Sequence, residues 1–135
     1  MDVHNPKQRS YNMSHIKSKN SKPELLVRKW LWNNGYRYRL HANYLPGKPD
    51  IIFTKKKIAL FVHGCFWHKH DCEYFKWPAT NKKFWRDKIN NNVKRDNYNN
   101  KKLKAIGWSV IIVWECDLKK SLEKRMKRLE KKIIN

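Results

Sequence analysis

Two spacings of apolar residues alternate along the chain, and they predict its elements in order. Leu26, Val27, Trp30 and Leu31 recur at helical spacing behind Ser21-Lys22-Pro23-Glu24. That tetrapeptide has the form of a capping box with proline in the first turn, and Gly35 is expected to stop the helix. At this level capping accounts for Glu24 without any chemistry. Tyr36 to His41 then alternates aromatic and basic residues, predicting a first strand with Tyr36 and Tyr38 on one face and Arg37 and Arg39 on the other. A Pro46-Gly47-Lys48-Pro49 turn delivers Asp50 to the head of Ile51-Ile52-Phe53. Thr54 to Lys57 reads as a tight polar turn, and Ile58 to Val62 returns as a second strand of a hairpin.

Helical spacing resumes after a loop from Glu73 to Thr80. Thr80 is expected to cap a long helix that reaches about Ile106 and closes at Gly107, with Trp85, Ile89, Val93, Asp96, Asn100 and Leu103 on one face. Asp96 sits in that stripe, as either a helix-surface residue near the rim or, the favoured reading, a buried acid with an arginine or histidine partner. Trp108 to Trp114 reads as a buried strand, and Leu118, Leu122, Met126, Leu129 and Ile133 as one last amphipathic helix. The order α-β-β-β-α-β-α predicts an α/β fold, a mixed central sheet flanked by helices.

Charge changes the picture from fold to partner. The 135 residues suit a single domain, read over residues 21–135, and the chain's net charge of +21 at a pI near 10.1 makes a field that repels itself unless it meets a polyanion. Residues 1–20, with Lys7, Arg9, Lys17 and Lys19 and no sustained period, read as a basic arm that orders on a phosphate backbone, with a plain disordered terminus the alternative on composition alone. A lysine- and asparagine-rich surface explains part of this excess. It does not explain the 7 tryptophans, which suit stacking on bases or wedging between base steps. The lack of an apolar run near 18 residues or a signal-peptide core predicts a soluble, intracellular protein with no membrane role.

The 3 cysteines make an odd count, which argues against a closed disulfide framework. Cys65, His70 and Cys72 come from one short segment, and Cys116 ends a distant strand. Three thiolates and an imidazole form the closed tetrahedral set of a structural Zn²⁺ site, with His68 the alternative to His70. Such a site leaves no open position for substrate. The remaining group is Asp50, His63 and His68, with the carbonyls at the end of the second hairpin strand. A carboxylate, a carbonyl and waters suit Mg²⁺, and a histidine can deprotonate an attacking water, which together equip a site for phosphodiester hydrolysis.

These residues lie in segments that resemble one family over nearly the whole chain, in a single register. The segments are Asp2-Val3-His4, Arg9-Ser10-Tyr11-Asn12-Met13, Leu45 to Asp50, Phe61 to His68, Phe75 to Thr80, Phe84-Trp85, Arg95-Asp96 and Gly107 to Cys116. The chain resembles the very-short-patch repair (Vsr) mismatch endonucleases. The resemblance implies a restriction-endonuclease-like fold, hydrolysis 5′ to the thymine of a T·G mismatch in double-stranded DNA, and repair of deaminated 5-methylcytosine near a methyltransferase target. It also implies a monomer in the bacterial cytoplasm, on the nucleoid through DNA. Carried over by position, Asp50 is the Mg²⁺ ligand with the Val62 carbonyl, His68 the general base, His63 a second active-site histidine and Glu24 an active-site acid. Cys65, His70, Cys72 and Cys116 match the zinc ligands, and Phe66, Trp67 and Trp85 the aromatics that wedge into DNA. The second acid and the lysine usual in this nuclease fold are absent, with Phe61-Val62-His63 in their place, and the resemblance implies that the family lacks them too. Val62 stands where threonine is expected, which removes a side-chain role there but leaves a backbone carbonyl ligand. A restriction-type nuclease without mismatch preference and a non-enzymatic, zinc-stapled nucleic-acid-binding module are the alternatives.

Overall fold

The computed structural model describes residues 21–134, so the basic arm expected over residues 1–20 lies outside the described residues. The first helix, α1 (Lys22–Asn33), starts as its sequence predicts, with the Ser21 hydroxyl accepting from the Glu24 amide at 3.4 Å. It ends in a pair of bonds, Tyr36 N–H to the Leu31 carbonyl and Gly35 N–H to the Trp32 carbonyl, which need the left-handed turn that Gly35 takes at φ 87°. That closure explains why strand β1 is shorter than the alternation predicts. Tyr36 is taken up by the helix end and Arg37 turns back over the Trp32 ring, so pairing begins only at Arg39–Leu40.

Strands β2 (Ile51–Phe53) and β3 (Ile58–His63) form the expected antiparallel hairpin, and β4 (Ser109–Trp114) lies parallel to β3. The sheet has four strands in the order β1-β2-β3-β4. All of β3 is buried, as a central strand covered on both faces must be. Alternation sorts its residues cleanly. Ile58, Leu60 and Val62 join Ile51, Phe53, Ile111 and Val113 in one core, against Val27 and Leu31 of α1 and Met126, Leu129 and Ile133 of the last helix. Ala59 and Phe61 face the opposite way, with Ile52 and Leu103.

The long helix α2 (Lys82–Ala105) covers that second face with the expected stripe, to which the buried Asn92 is added. Its cap differs from expectation. Asn81 replaces Thr80, in a left-handed conformation at φ 52° that a short amide side chain tolerates, and makes no side-chain cap bond. The single C-terminal helix also divides, into α3 (Glu115–Lys120) and α4 (Leu122–Ile134). Ser121 is extended between them and its hydroxyl accepts from the Lys124 amide at 3.2 Å, so a cap won over continuous helix. Among the described residues no helix is long and apolar enough to cross a membrane.

Candidate active site

The parallel pairing of β3 with β4 sets the site. Its register aligns His63 with Trp114, so the segments that follow, Gly64 onward and Glu115-Cys116, leave the sheet side by side at the carboxyl ends of the strands. Asp50 heads β2 on the same face as Phe61 and His63, beneath α2. A cleft of about 450 Å³ results, lined by Asp50, Val62, His63 and His68 from the sheet side and by Asn92, Arg95, Asp96 and Asn99 from the helix. Gly47 and Lys48 complete the rim. Gly47 is at φ 77°, and a Cβ there would lie 3.0 Å from Asn99 Cβ and 3.2 Å from the Phe61 ring, so any other residue strains the turn and presses on α2.

Asp50 Oδ2 accepts from the Val62 amide at 2.8 Å, which ties the acid to the end of β3. Burial and the neighbouring Glu24 carboxylate still push its carboxyl up to about 7, against the opposing pull of that amide. Glu24 is itself buried, and its Oε2 meets His41 Nε2 at 3.0 Å and Arg28 at 3.3 Å. Glu24, His41 and Asp50 bring one ligand atom each within 4.8 Å of one another. On the far wall, His68 Nδ1 donates to Asp96 Oδ2 at 2.5 Å. A carboxylate only accepts, so this contact places a proton on Nδ1, and in the neutral ring it leaves the Nε2 lone pair free for other use. The His63 ring stacks on His68, centroids 3.7 Å apart and 4° from parallel. Burial and His68 lower the pKa of His63 to about 3, and its Nδ1 is buried without a hydrogen-bond partner. His63 is therefore a neutral ring at any working pH.

Next to the cleft, Cys65, His70, Cys72 and Cys116 place four ligand atoms within 4.8 Å of one another, a set that can hold a metal ion. Cys116 N–H donates to Cys65 Sγ at 3.4 Å, and Cys116 Sγ lies 3.4 Å from His70 Nδ1. Burial pushes the Cys65 thiol up to about 12 and that of Cys116 upward as well, so without a cation these thiols hold their protons. The geometry also separates the two competing histidines: His70 lies with the cysteines and His68 with Asp96.

Phe66, Trp67 and Trp85 are each half-buried and gather in one cluster. Their ring centroids lie 5.2 Å apart for Phe66–Trp67, 5.4 Å for Phe66–Trp85 and 5.7 Å for Trp67–Trp85. Asn92 Nδ2, on the cleft wall, donates to the Trp67 carbonyl at 3.1 Å and so pins this cluster beside the carboxylates.

The family model for the DNA mismatch endonuclease Vsr matches residues 1–74, more than half of the chain. The chain belongs to the Vsr family. It is 44% identical to the type II nicking enzyme V.NmeAIP of Neisseria meningitidis over 134 residues, 98% of this chain and 96% of that protein. It is 44% identical to the type II nicking enzyme V.XorIIP of Xanthomonas oryzae over 126 residues, covering 92% and 93%. Against the DNA mismatch endonuclease Vsr of Escherichia coli the identity is 42% over 118 residues, 87% of this chain and 76% of that protein.

Every site residue named from this Vsr sequence falls in the cleft, the cysteine cluster or the aromatic cluster, apart from Glu24, which reaches the cleft through Asp50. His41 was missed. Pairing of β1 with β2 sets Leu40 opposite Ile51 and lets the His41 amide donate to the Asp50 carbonyl at 3.0 Å, which puts the imidazole on Glu24. Only a strand register could have revealed that neighbour, and two paired residues leave too short a pattern to set one. Asn92 was missed because it lies one step off the apolar stripe, where an asparagine reads as solvent-facing.

Proposed function

We propose that this protein is a Mg²⁺-dependent DNA endonuclease of restriction-endonuclease-like fold that nicks one strand 5′ to the thymine of a T·G mismatch. The observation that carries this reading is the joining of two devices by one residue. Asn92 lines the cleft that holds Asp50, His63, His68 and Asp96, and also holds the backbone of the Phe66-Trp67-Trp85 cluster. Unstacking by a wedge costs least at a mispaired step, so a half-exposed aromatic cluster beside the reacting groups favours mismatched DNA.

Two adjacent carboxylates, Asp50 and Glu24, and the strand-end carbonyl of Val62 are hard oxygen donors that fit Mg²⁺. When bound there, Mg²⁺ supplies charge neutralisation of the scissile phosphate and acidifies a water. The chain's own residues do the rest. His68, fixed by Asp96 through Nδ1, takes a proton from the attacking water at Nε2. His63, held neutral, backs the His68 ring by stacking and adds no positive charge against it. Arg95 and Lys48 at the rim offer cations to the DNA backbone. In this reading Cys65, His70, Cys72 and Cys116 hold a structural Zn²⁺, a fit supported by three thiols and an imidazole converging with no acid among them. The proposed protein acts as a monomer on the bacterial nucleoid, downstream of a cytosine-5 DNA methyltransferase, and opens the strand beside the thymine that deamination of 5-methylcytosine leaves.

The type II nicking enzymes among the relatives favour a second reading, sequence-directed nicking without a mismatch requirement. Nicking of a panel of duplexes that differ only in T·G, T·A or C·G at one pair, in varied flanking sequence with Mg²⁺, separates the two. Cleavage confined to T·G supports the proposal, and equal nicking of matched duplexes refutes it. Asp50→Ala that keeps DNA affinity but loses cleavage rules out a non-enzymatic binding module.

A further inference from the structure

A second groove, joined to the aromatic cluster through Phe75, shares no lining residue with the catalytic cleft. It measures about 480 Å³ and runs between Trp77-Pro78-Ala79 and the first half of α2, where Lys82, Arg86 and Asn90 follow one another at steps of four on one helix face. Trp77 is 46% exposed although it is among the largest apolar side chains of the chain. Lys69 Nζ sits 5.5 Å over its ring and donates to Asn90 Oδ1 at 3.5 Å, which leaves the Asn90 amide NH₂ turned to other partners. Phe75 packs edge-on against Trp77 at 5.1 Å and approaches Phe66 at 6.1 Å, so one aromatic run leads from this groove to the wedge cluster. Neither Lys82 nor Arg86 has an ion-pair partner among the described residues.

We propose that this groove is a nucleotide subsite: it takes one base of the DNA flanking the nick, lifted from the stack, on the Trp77 ring, with its phosphates on Lys82 and Arg86. The inference rests on the endonuclease reading above and adds a place where flanking sequence is felt. Size agrees, since pockets for small ligands run from about 300 to 1,000 Å³. Chemistry chooses a base over bare backbone. Lysines and arginines alone suffice to hold phosphates, whereas an exposed indole at the floor of a basic groove gains nothing from a phosphate and stacks on any base. The Asn90 amide is placed to meet the edge of that base, which gives the subsite a preference rather than mere affinity.

The test is binding to T·G duplexes that each carry one abasic residue at successive positions either side of the mismatch, followed by fluorescence anisotropy without added Mg²⁺. On the intact duplex Trp77→Ala is expected to bind roughly 5- to 150-fold more weakly, the range for loss of one stacked base. At one position, removing the base should weaken wild type by the same factor and leave Trp77→Ala unchanged, and Trp77→Phe, which keeps a ring, should restore the difference. Arg86→Gln should keep that base dependence and lower the salt slope by about 0.9. Unaltered binding by Trp77→Ala, or equal losses in wild type and Trp77→Ala at every abasic position, overturns the subsite while wild-type nicking of T·G duplexes leaves the endonuclease reading standing. Wild type that binds no duplex overturns both.

Discussion

Asp50 is expected to destabilise the fold that carries it, and Asp50→Asn should therefore make the metal-free protein more stable. Its carboxyl is raised from 3.8 to about 7 by burial first and by Glu24 next, with the Val62 amide pulling the other way. At 1.36 kcal/mol per pH unit, ionising this acid in the fold costs about 4 kcal/mol more than in the unfolded chain. Asp50 is only half-buried, and solvent on the cleft side discounts the figure to about 2–3 kcal/mol. Asparagine has the same shape. Its oxygen keeps the Val62 hydrogen bond, and its amide can donate to Glu24 as the protonated acid does.

The sign follows from a folded pKa that lies above the unfolded one. Below pH 4 both states hold the proton and the variant has no advantage. Between pH 4 and pH 7 the unfolded state releases it first, so the wild type loses ground steadily, and above pH 7 the gap is constant. Urea midpoints of both proteins from pH 5 to pH 8.5, without added Mg²⁺ and without chelator, check this. Titrations of the cysteines and other histidines are common to both proteins and cancel. Adding Mg²⁺ should then stabilise wild type by mass action and leave Asp50→Asn unmoved and inactive. A gap that is flat with pH, or an Asp50→Asn protein less stable than wild type at pH 8, would refute the reasoning.

Cys116→Ala should give low solubility and a much lower melting temperature, because structural zinc contributes on the order of 10 kcal/mol to folding; zinc content and thermal melts check it. Gly47→Ala should cost about 2 kcal/mol in denaturant unfolding, from the left-handed backbone and the contact with Asn99, and should depress nicking by moving α2 off the cleft. Deleting residues 1–19 should weaken DNA binding and lower the salt slope by about 0.9 for each phosphate the arm neutralises, as read from affinity against ionic strength. Trp67→Ala should stay folded with its metals and lose most T·G cleavage; a melting temperature lowered as far as a core loss of about 3–5 kcal/mol implies, with normal cleavage by the folded fraction, would make the ring core and not wedge.

The sequence-based fold held wherever a signal was local. Helix α1 begins at its capping box and closes at its glycine, and the β2–β3 hairpin needs only two apolar runs and a polar turn. The errors fell at element ends, where a residue had a rival use. Ser121 chose to cap α4, Asn81 displaced Thr80, and Tyr36 closed α1 in place of extending β1. The site was legible in part for the same reason. Cys65, His70 and Cys72 declare themselves by spacing, but that Cys116 joins them depends on a parallel register which periodicity cannot set. His41 depends on the register of β1 with β2.

That parallel register also binds the two centres into one construction. Trp114, opposite His63 in the β3–β4 pairing, lies flat on His70 at 4.0 Å and edge-on to His63 at 5.2 Å. His63 in turn stacks on His68, so an unbroken row of rings runs from the cysteine cluster to the lone pair that would meet water. The row starts beside thiols whose pKa values burial raises, carries the neutral His63 ring in its middle, and ends on His68, which Asp96 holds through Nδ1. A cation on the cysteines, as proposed, deprotonates the thiols and locks the His70 ring, and through Trp114 it limits how His63 and His68 can tilt.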